Sequence, residues 1–195
     1  MPRLLCAKCS YPKTACVCPW VSEITSPVEI MILQHYRERG HAKNTTRLVR
    51  LAIPAVDVRV AKAHCNLQQA ADLQDGEQCA VFFPIAGSRS LEQHLPAFSA
   101  KQYQRIVFLD GSWKQASGMA HSLAGNPGIH FYHFDHPQPS RYQIRHTRRT
   151  SALSTIEAIA LALEKAYSVD SQPLMELLQG FQNHWRGPVC QRRRS

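Results

Sequence analysis

The chain has 195 residues, room for one domain with a real core and too few for two of ordinary size. A hydrophobic fraction of 44% beside 19% charged residues excludes an intrinsically disordered chain, and no run of about 18 apolar residues is available to cross a membrane. The formal charge of +9, from 23 Lys and Arg (16 of them Arg) against 14 Asp and Glu, points to a polyanionic partner, because arginine grips phosphate bidentately and stacks on bases, or else to a solvated basic face with no partner.

Residues 1–26 form a Cys- and Pro-rich segment with little periodicity, read as a metal-organised appendage to a body spanning 27–190 and a basic tail at 191–195 that is expected to be disordered. Met1 to Cys6 lacks the apolar stretch of a secretory peptide, so a cytoplasmic location is expected, where cysteines serve as metal ligands or free thiols more than as disulfides. In the body, short apolar runs at Val28–Leu33, Val56–Val60, Ala80–Phe83, Ile106–Leu109 and Ile129–Phe134 predict strands. Between them, Asn44 caps a helix over Thr45–Ala52 and Ser112 caps one running toward Ala124. Ser154-Thr155-Ile156-Glu157 is a capping box opening an apolar-striped helix to about Tyr167, and a last helix covers Pro173–Trp185. This alternation predicts an α/β fold with a mostly parallel sheet covered by helices.

Cys6, Cys9, Cys16 and Cys18 put four thiols within thirteen residues, the full tetrahedral set that structural zinc requires. A closed set of four thiolates leaves no open position, so such a zinc would fold the appendage and hold Arg3, Lys8 and Lys13 against RNA without activating water. Reduced structural cysteines or an iron-sulfur site are the alternatives; Cys65, Cys79 and Cys190 read as isolated thiols. His130, His133 and His136 suggest a second metal site, but on a strand His133 points away from the other two.

Where the run Ile106–Leu109 ends, Asp110-Gly111-Ser112-Trp113 places a carboxylate, a glycine, a hydroxyl and a large aromatic at a strand-to-helix turn, the edge at which open α/β sheets bind ligands. The plainer reading has Ser112 capping a helix, Asp110 bonding turn amides and Trp113 filling the core. Arg141, Arg145, Arg148 and Arg149 lie within nine residues with Tyr142 among them, a phosphate-tracking loop with an aromatic for stacking, or else a solvated loop. His35, Arg37, Lys43 and Arg47 form a second possible RNA-binding patch.

Asp110-Gly-Ser-Trp followed by Lys-Gln-Ala resembles the Asp-x-Thr-Trp signature of the DTW-domain proteins, with Ser112 keeping the threonine's hydroxyl. The spaced cysteines, Gln34-His35 leading to Asn44-Thr45 and Leu48, and Ser154-Thr155-Ile156-Glu157-Ala158 resemble that family in the same order; Tyr36 stands where the family often has proline. The resemblance implies a SPOUT-like α/β fold with helices on both faces and a trefoil knot. It also implies transfer of the 3-amino-3-carboxypropyl group of S-adenosyl-L-methionine to N3 of a tRNA uridine, releasing methylthioadenosine. Within that expectation Asp110 is the base or the orienting acceptor for N3–H, and Ser112 and Trp113 contact uracil or cofactor. Leu109, Gly111, Ser154, Thr155 and Glu157 line the cofactor site, the helix-start amides taking its carboxylate. An S-adenosylmethionine-dependent RNA methyltransferase and a non-catalytic zinc-dependent RNA-binding protein are the rival readings.

Overall fold

The computed structural model describes residues 4–61, 78–101, 103–144 and 152–184. Six strands form one all-parallel sheet: β1 Glu29–His35, β2 Asp57–Ala61, β3 Cys79–Phe82, β4 Arg89–Ser90, β5 Arg105–Asp110 and β6 Ile129–His133, in the order β2-β1-β5-β3-β6-β4. The five longer strands fall on the five predicted apolar runs within a residue or two. β4 has only two residues, too few for a periodic signal, and is held by parallel pairing of Arg89 with Tyr132 and Ser90 with His133.

The strands read as nearly unbroken apolar runs because helices cover both faces. On one face Ile30, Ile32, Phe82, Ile106 and Phe108 are buried with residues of helices α1 (Thr46–Ala52), α4 (Thr155–Tyr167) and α5 (Gln172–Asn183). The opposite set, Met31, Leu33, Val81 and Val107, packs with Met119 and Leu123 of helix α3, Trp113–Leu123. A further helix, α2 (Leu95–Lys101), lacks a capping signal and is not anticipated from the sequence. None of the helices among the described residues is long and apolar enough to cross a membrane.

The helix starts follow the predicted chemistry. Ser112 accepts the Gln115 amide at 3.4 Å while Gln115 reaches back to the Ser112 N–H at 2.6 Å. Ser154 donates both its N–H (2.8 Å) and its hydroxyl (2.6 Å) to Glu157. Helix α4 ends on Ser168, which takes the left-handed conformation (φ 54°) as Val169 donates back to the Leu163 carbonyl at 3.1 Å.

The N-terminal segment shares the main core: Cys9, Tyr11, Val17 and Ile24 are buried in the same cluster as α1, α4 and α5. Trp20 lies on α5 at Gly180, where a Cβ would stand 2.7 Å from the ring's Cε3 and closer still to two other ring atoms. Tyr11 packs on Phe181 with centroids 5.5 Å apart, and the Arg47 guanidinium sits 3.9 Å above the Tyr11 ring.

Candidate active site

The sheet changes winding direction beside β5. From β1 the chain goes through α1 to β2 on one side, whereas from β5 it goes through α3 to β6 on the other. The carboxyl ends of β1 and β5 therefore flank a topological switch point, where open α/β sheets hold ligands. Gln34 and Asp110 are register partners at this edge.

Asp110 is only 4% exposed and is the hub of the site. Gln34 Nε2 (2.8 Å) and Asn44 Nδ2 (2.6 Å) donate to one carboxylate oxygen, and Thr155 Oγ1 (2.7 Å) donates to the other. Among the described residues three of about four lone-pair sites are thus taken by neutral donors, so the carboxylate ties β1, the start of α1 and the start of α4 together. Asn44 in turn accepts the Thr46 amide at 2.9 Å, which fixes its amide orientation. Asp110 stands out from its own turn in the sequence and Asn44 as a helix cap, whereas Gln34 stands out there only through a family resemblance. The available signal is a polar residue closing an otherwise apolar strand.

Around this hub lies a cavity of about 370 Å³, lined by Leu109, Asp110, Gly111, Ser112, Trp113, Ser154, Thr155, Lys43 and Tyr142 among the residues expected to be functional. Gly111 permits the tight turn into α3, since a Cβ would stand 3.0 Å from that of Gln115. Trp113 stacks obliquely on Phe83, ring centroids 5.0 Å apart. Glu157 does not line this cavity. Its carboxylate is engaged by Ser154, the Ser140 hydroxyl (2.7 Å) and the Arg141 amide (2.6 Å), so it pins the 140–141 segment to the start of α4. The Ser154 amide is bonded to Glu157, so an anion at this helix start would meet the amides after it instead.

The expected RNA-binding residues divide. Tyr142 is buried, its hydroxyl donating to the Lys43 carbonyl, so its ring is a wall of the cavity. Lys43 donates to the Ile144 carbonyl at 3.0 Å. Arg47 anchors the N-terminal segment through Tyr11 and the Cys9 carbonyl at 3.2 Å. His35 accepts the Arg37 amide at 3.3 Å, while Arg37 lies over the Tyr36 ring on the surface. Arg141 is exposed, and Arg145, Arg148 and Arg149 lie outside the described residues, as do Arg3, Cys65 and Cys190.

Cys6, Cys9, Cys16 and Cys18 bring all four sulfurs within 4.8 Å of one another, with Cys6–Cys18 and Cys9–Cys16 at 3.7 Å. A tetrahedral zinc with Zn–S of about 2.3 Å needs sulfurs about 3.8 Å apart, so this set could hold a metal. Four thiols this close cannot all ionise unaided: backbone amides of Cys9 and Lys8 hold Cys6 down to about 6, whereas desolvation and the other thiols push Cys18 up to about 12. A divalent cation removes that conflict. Of the three histidines whose spacing suggests a second metal, His130 bonds Gln78 (2.8 Å) and Lys101 (2.9 Å), and His133 bonds Ser88 (2.9 Å).

The model of the DTW domain matches residues 3–186 of the chain. The chain belongs to the DTW domain family. Curated relatives of this DTW-domain protein include tRNA-uridine aminocarboxypropyltransferase 2 of Macaca fascicularis, 25% identical over 176 residues, and that of Mus musculus, 26% identical over 170 residues. Each match covers 81% of this chain and 55% of the relative, so the chain spans about half the length of the curated relatives it matches. No solved structure matches the chain.

Proposed function

We propose that this protein is a tRNA-uridine aminocarboxypropyltransferase that uses S-adenosyl-L-methionine and forms 3-(3-amino-3-carboxypropyl)uridine, on a SPOUT-like scaffold with its trefoil knot. The observation carrying the reading is the cavity at the switch point of the sheet, where Asp110, Ser112, Trp113 and Thr155 converge in a chain of the DTW family. Its volume of about 370 Å³ falls in the range of small-molecule sites. S-adenosylmethionine supplies an electrophilic methylene beside its sulfonium, with methylthioadenosine as the leaving group.

The chain's own contribution is placement. Uridine N3 must lose its proton, and the carboxylate site of Asp110 left open by Gln34, Asn44 and Thr155 is the acceptor for N3–H, as base or as orienting group. Because β1, β5 and α4 all hold that carboxylate, its position costs no reorganisation when the base arrives. Trp113 offers a face for stacking, the Ser112 oxygen orients a ligand beside it, and the α4 amides beyond Ser154 donate to the carboxylate of the aminocarboxypropyl group. Holding both reactants in one orientation in this cavity makes the displacement effectively unimolecular. Cys6, Cys9, Cys16 and Cys18 would hold zinc as a closed structural site, which would fix the N-terminal segment as one part of the tRNA-binding surface beside the arginine-rich sequence at 141–149.

The test is the small product left after incubation with unmodified tRNA and S-adenosylmethionine. Methylthioadenosine supports aminocarboxypropyl transfer. S-adenosylhomocysteine makes the protein a methyltransferase, and tRNA binding without either product makes it a binding protein.

A further inference from the structure

Gln34 near the end of β1 and Asn44 just before α1 donate to the same oxygen of Asp110, so residues 35–43 between them form a loop closed on the hub. The loop holds its own shape. The Arg39 amide donates to the Tyr36 carbonyl at 3.4 Å, that of His41 to the Glu38 carbonyl at 3.1 Å and that of Asn44 to the His41 carbonyl at 3.0 Å, with Gly40 turning at φ 77°. Its one acid, Glu38, is 4% exposed, whereas Arg37, Arg39 and His41 are exposed. A cationic surface that is already folded loses little conformational entropy when a polyanion binds to it.

The loop also carries an open ring. Among the described Phe, Tyr and Trp residues Tyr36 is the exposed one, at 36%. It leans on His35 (centroids 4.6 Å apart, 35°), and Arg37 Nε–H donates to its hydroxyl at 3.0 Å. The Arg37 guanidinium is thereby held at the hydroxyl end, 5.5 Å from the ring centroid. Arg47, in contrast, lies 3.9 Å over the centre of Tyr11, a ring that is 5% exposed. Tyr11 is capped by its arginine, whereas Tyr36 keeps open ring surface with a cation at its rim.

His35, Tyr36 and Arg37 lie outside the lining of the Asp110 cavity, yet Tyr36 stands two residues past Gln34, at most about 7 Å along the chain. A strand whose target base enters the cavity therefore passes this loop with its next nucleotide. We propose that loop 35–43 is a stacking platform for that neighbouring unpaired nucleotide: its base packs on Tyr36, and Arg37 and Arg39 take the adjoining phosphates. The identity of the strand, tRNA, rests on the transferase reading; the platform itself serves any unpaired RNA led to Asp110.

The experiment measures binding of unmodified tRNA transcripts to the full chain over a salt series, for the wild type, Tyr36→Ala, Tyr36→Phe and Arg37→Ala, with product nucleosides read from the same preparations. Tyr36→Ala is expected to weaken binding about fivefold or more at every salt concentration, the loss of one base–aromatic stack, without changing the slope of log affinity against log salt. Tyr36→Phe keeps the ring and should bind within about twofold of the wild type. Arg37→Ala should lower the slope by about 1, the loss of one phosphate contact. Thermal melts identify any variant that fails to fold. Wild-type affinity in Tyr36→Ala, a loss in Tyr36→Phe as large as that in Tyr36→Ala, an unmoved slope in Arg37→Ala, or a wild type that binds no tRNA would overturn the platform. Aminocarboxypropyluridine formed by a protein whose affinity does not respond to Tyr36→Ala overturns the platform alone; the expected binding pattern without that product overturns the transferase reading alone.

Discussion

Replacing Asp110 by alanine tests whether the hub bears the structural weight that its geometry implies. The substitution removes the acceptor of Gln34 Nε2 and Asn44 Nδ2, whose residues are 7% and 6% exposed, and of the Thr155 hydroxyl. The hydroxyl can rotate toward the cavity at little cost, and Gln34 keeps a weaker contact with Asn44 Oδ1 at 3.4 Å. The two amides remain, each costing about 1–3 kcal/mol when left buried without an acceptor. Relief from burying a carboxylate offsets part of this, leaving a net loss of about 2–4 kcal/mol. For a domain of this size each kcal/mol lowers Tm by about 2–4 °C, so a fall of roughly 4–16 °C is expected in a thermal melt. Ser112→Ala removes only a helix cap, worth about 1 kcal/mol, and should fall by much less. An Asp110→Ala protein melting within about 2 °C of the wild type would refute the assignment of Asp110 as the tie between β1, β5 and α4.

Gly180→Ala should destabilise by about 1–3 kcal/mol in chemical denaturation, because overpacking against Trp20 outweighs the gain of about 1 kcal/mol in helix propensity; a stabilised variant would mean that the Trp20 contact is dispensable. Removing metal with a strong chelator, or Cys9→Ser, should loosen the N-terminal segment and speed limited proteolysis within residues 4–24, while a protease pattern unchanged by chelation counts against a structural metal. Burial holds the Tyr11 and Tyr167 phenols up to about 12, above their ordinary value of 10. The unfolded chain ionises first, so the stability they contribute is intact below about pH 10 and is lost as pH rises toward 12. Tyr11→Phe with Tyr167→Phe should flatten the alkaline fall of Tm, and an unaltered slope would remove these residues from its cause. Arg148→Ala with Arg149→Ala should weaken tRNA binding and lessen its dependence on salt, and an unchanged slope reassigns that loop.

The parts of the site visible in the sequence are those whose chemistry is local. Asp110-Gly111-Ser112-Trp113 announces itself because an apolar strand ends in a carboxylate and a helix cap, and Ser154 to Glu157 because a capping box has fixed spacing. Gln34 and Asn44 lie 76 and 66 residues from Asp110, and their role depends on β1 lying beside β5, which the hydrophobic periodicity of either strand does not specify. The same holds for His133: its spacing with His130 and His136 suggests a metal, whereas its partner Ser88 comes from the segment before a two-residue edge strand with no periodic trace. Tyr142 and Arg47 carry residue types suited to RNA, yet tertiary packing uses one as a cavity wall and the other as an anchor for the N-terminal segment.

The most direct test of the central claim is the mass of nucleosides from unmodified tRNA incubated with the purified protein and S-adenosyl-L-methionine carrying isotopic label in its methionine chain. The expected product is a uridine heavier by the labelled 3-amino-3-carboxypropyl group, absent with Asp110→Asn. Recovery of tRNA that carries a labelled methyl group, or no label at all, contradicts that claim.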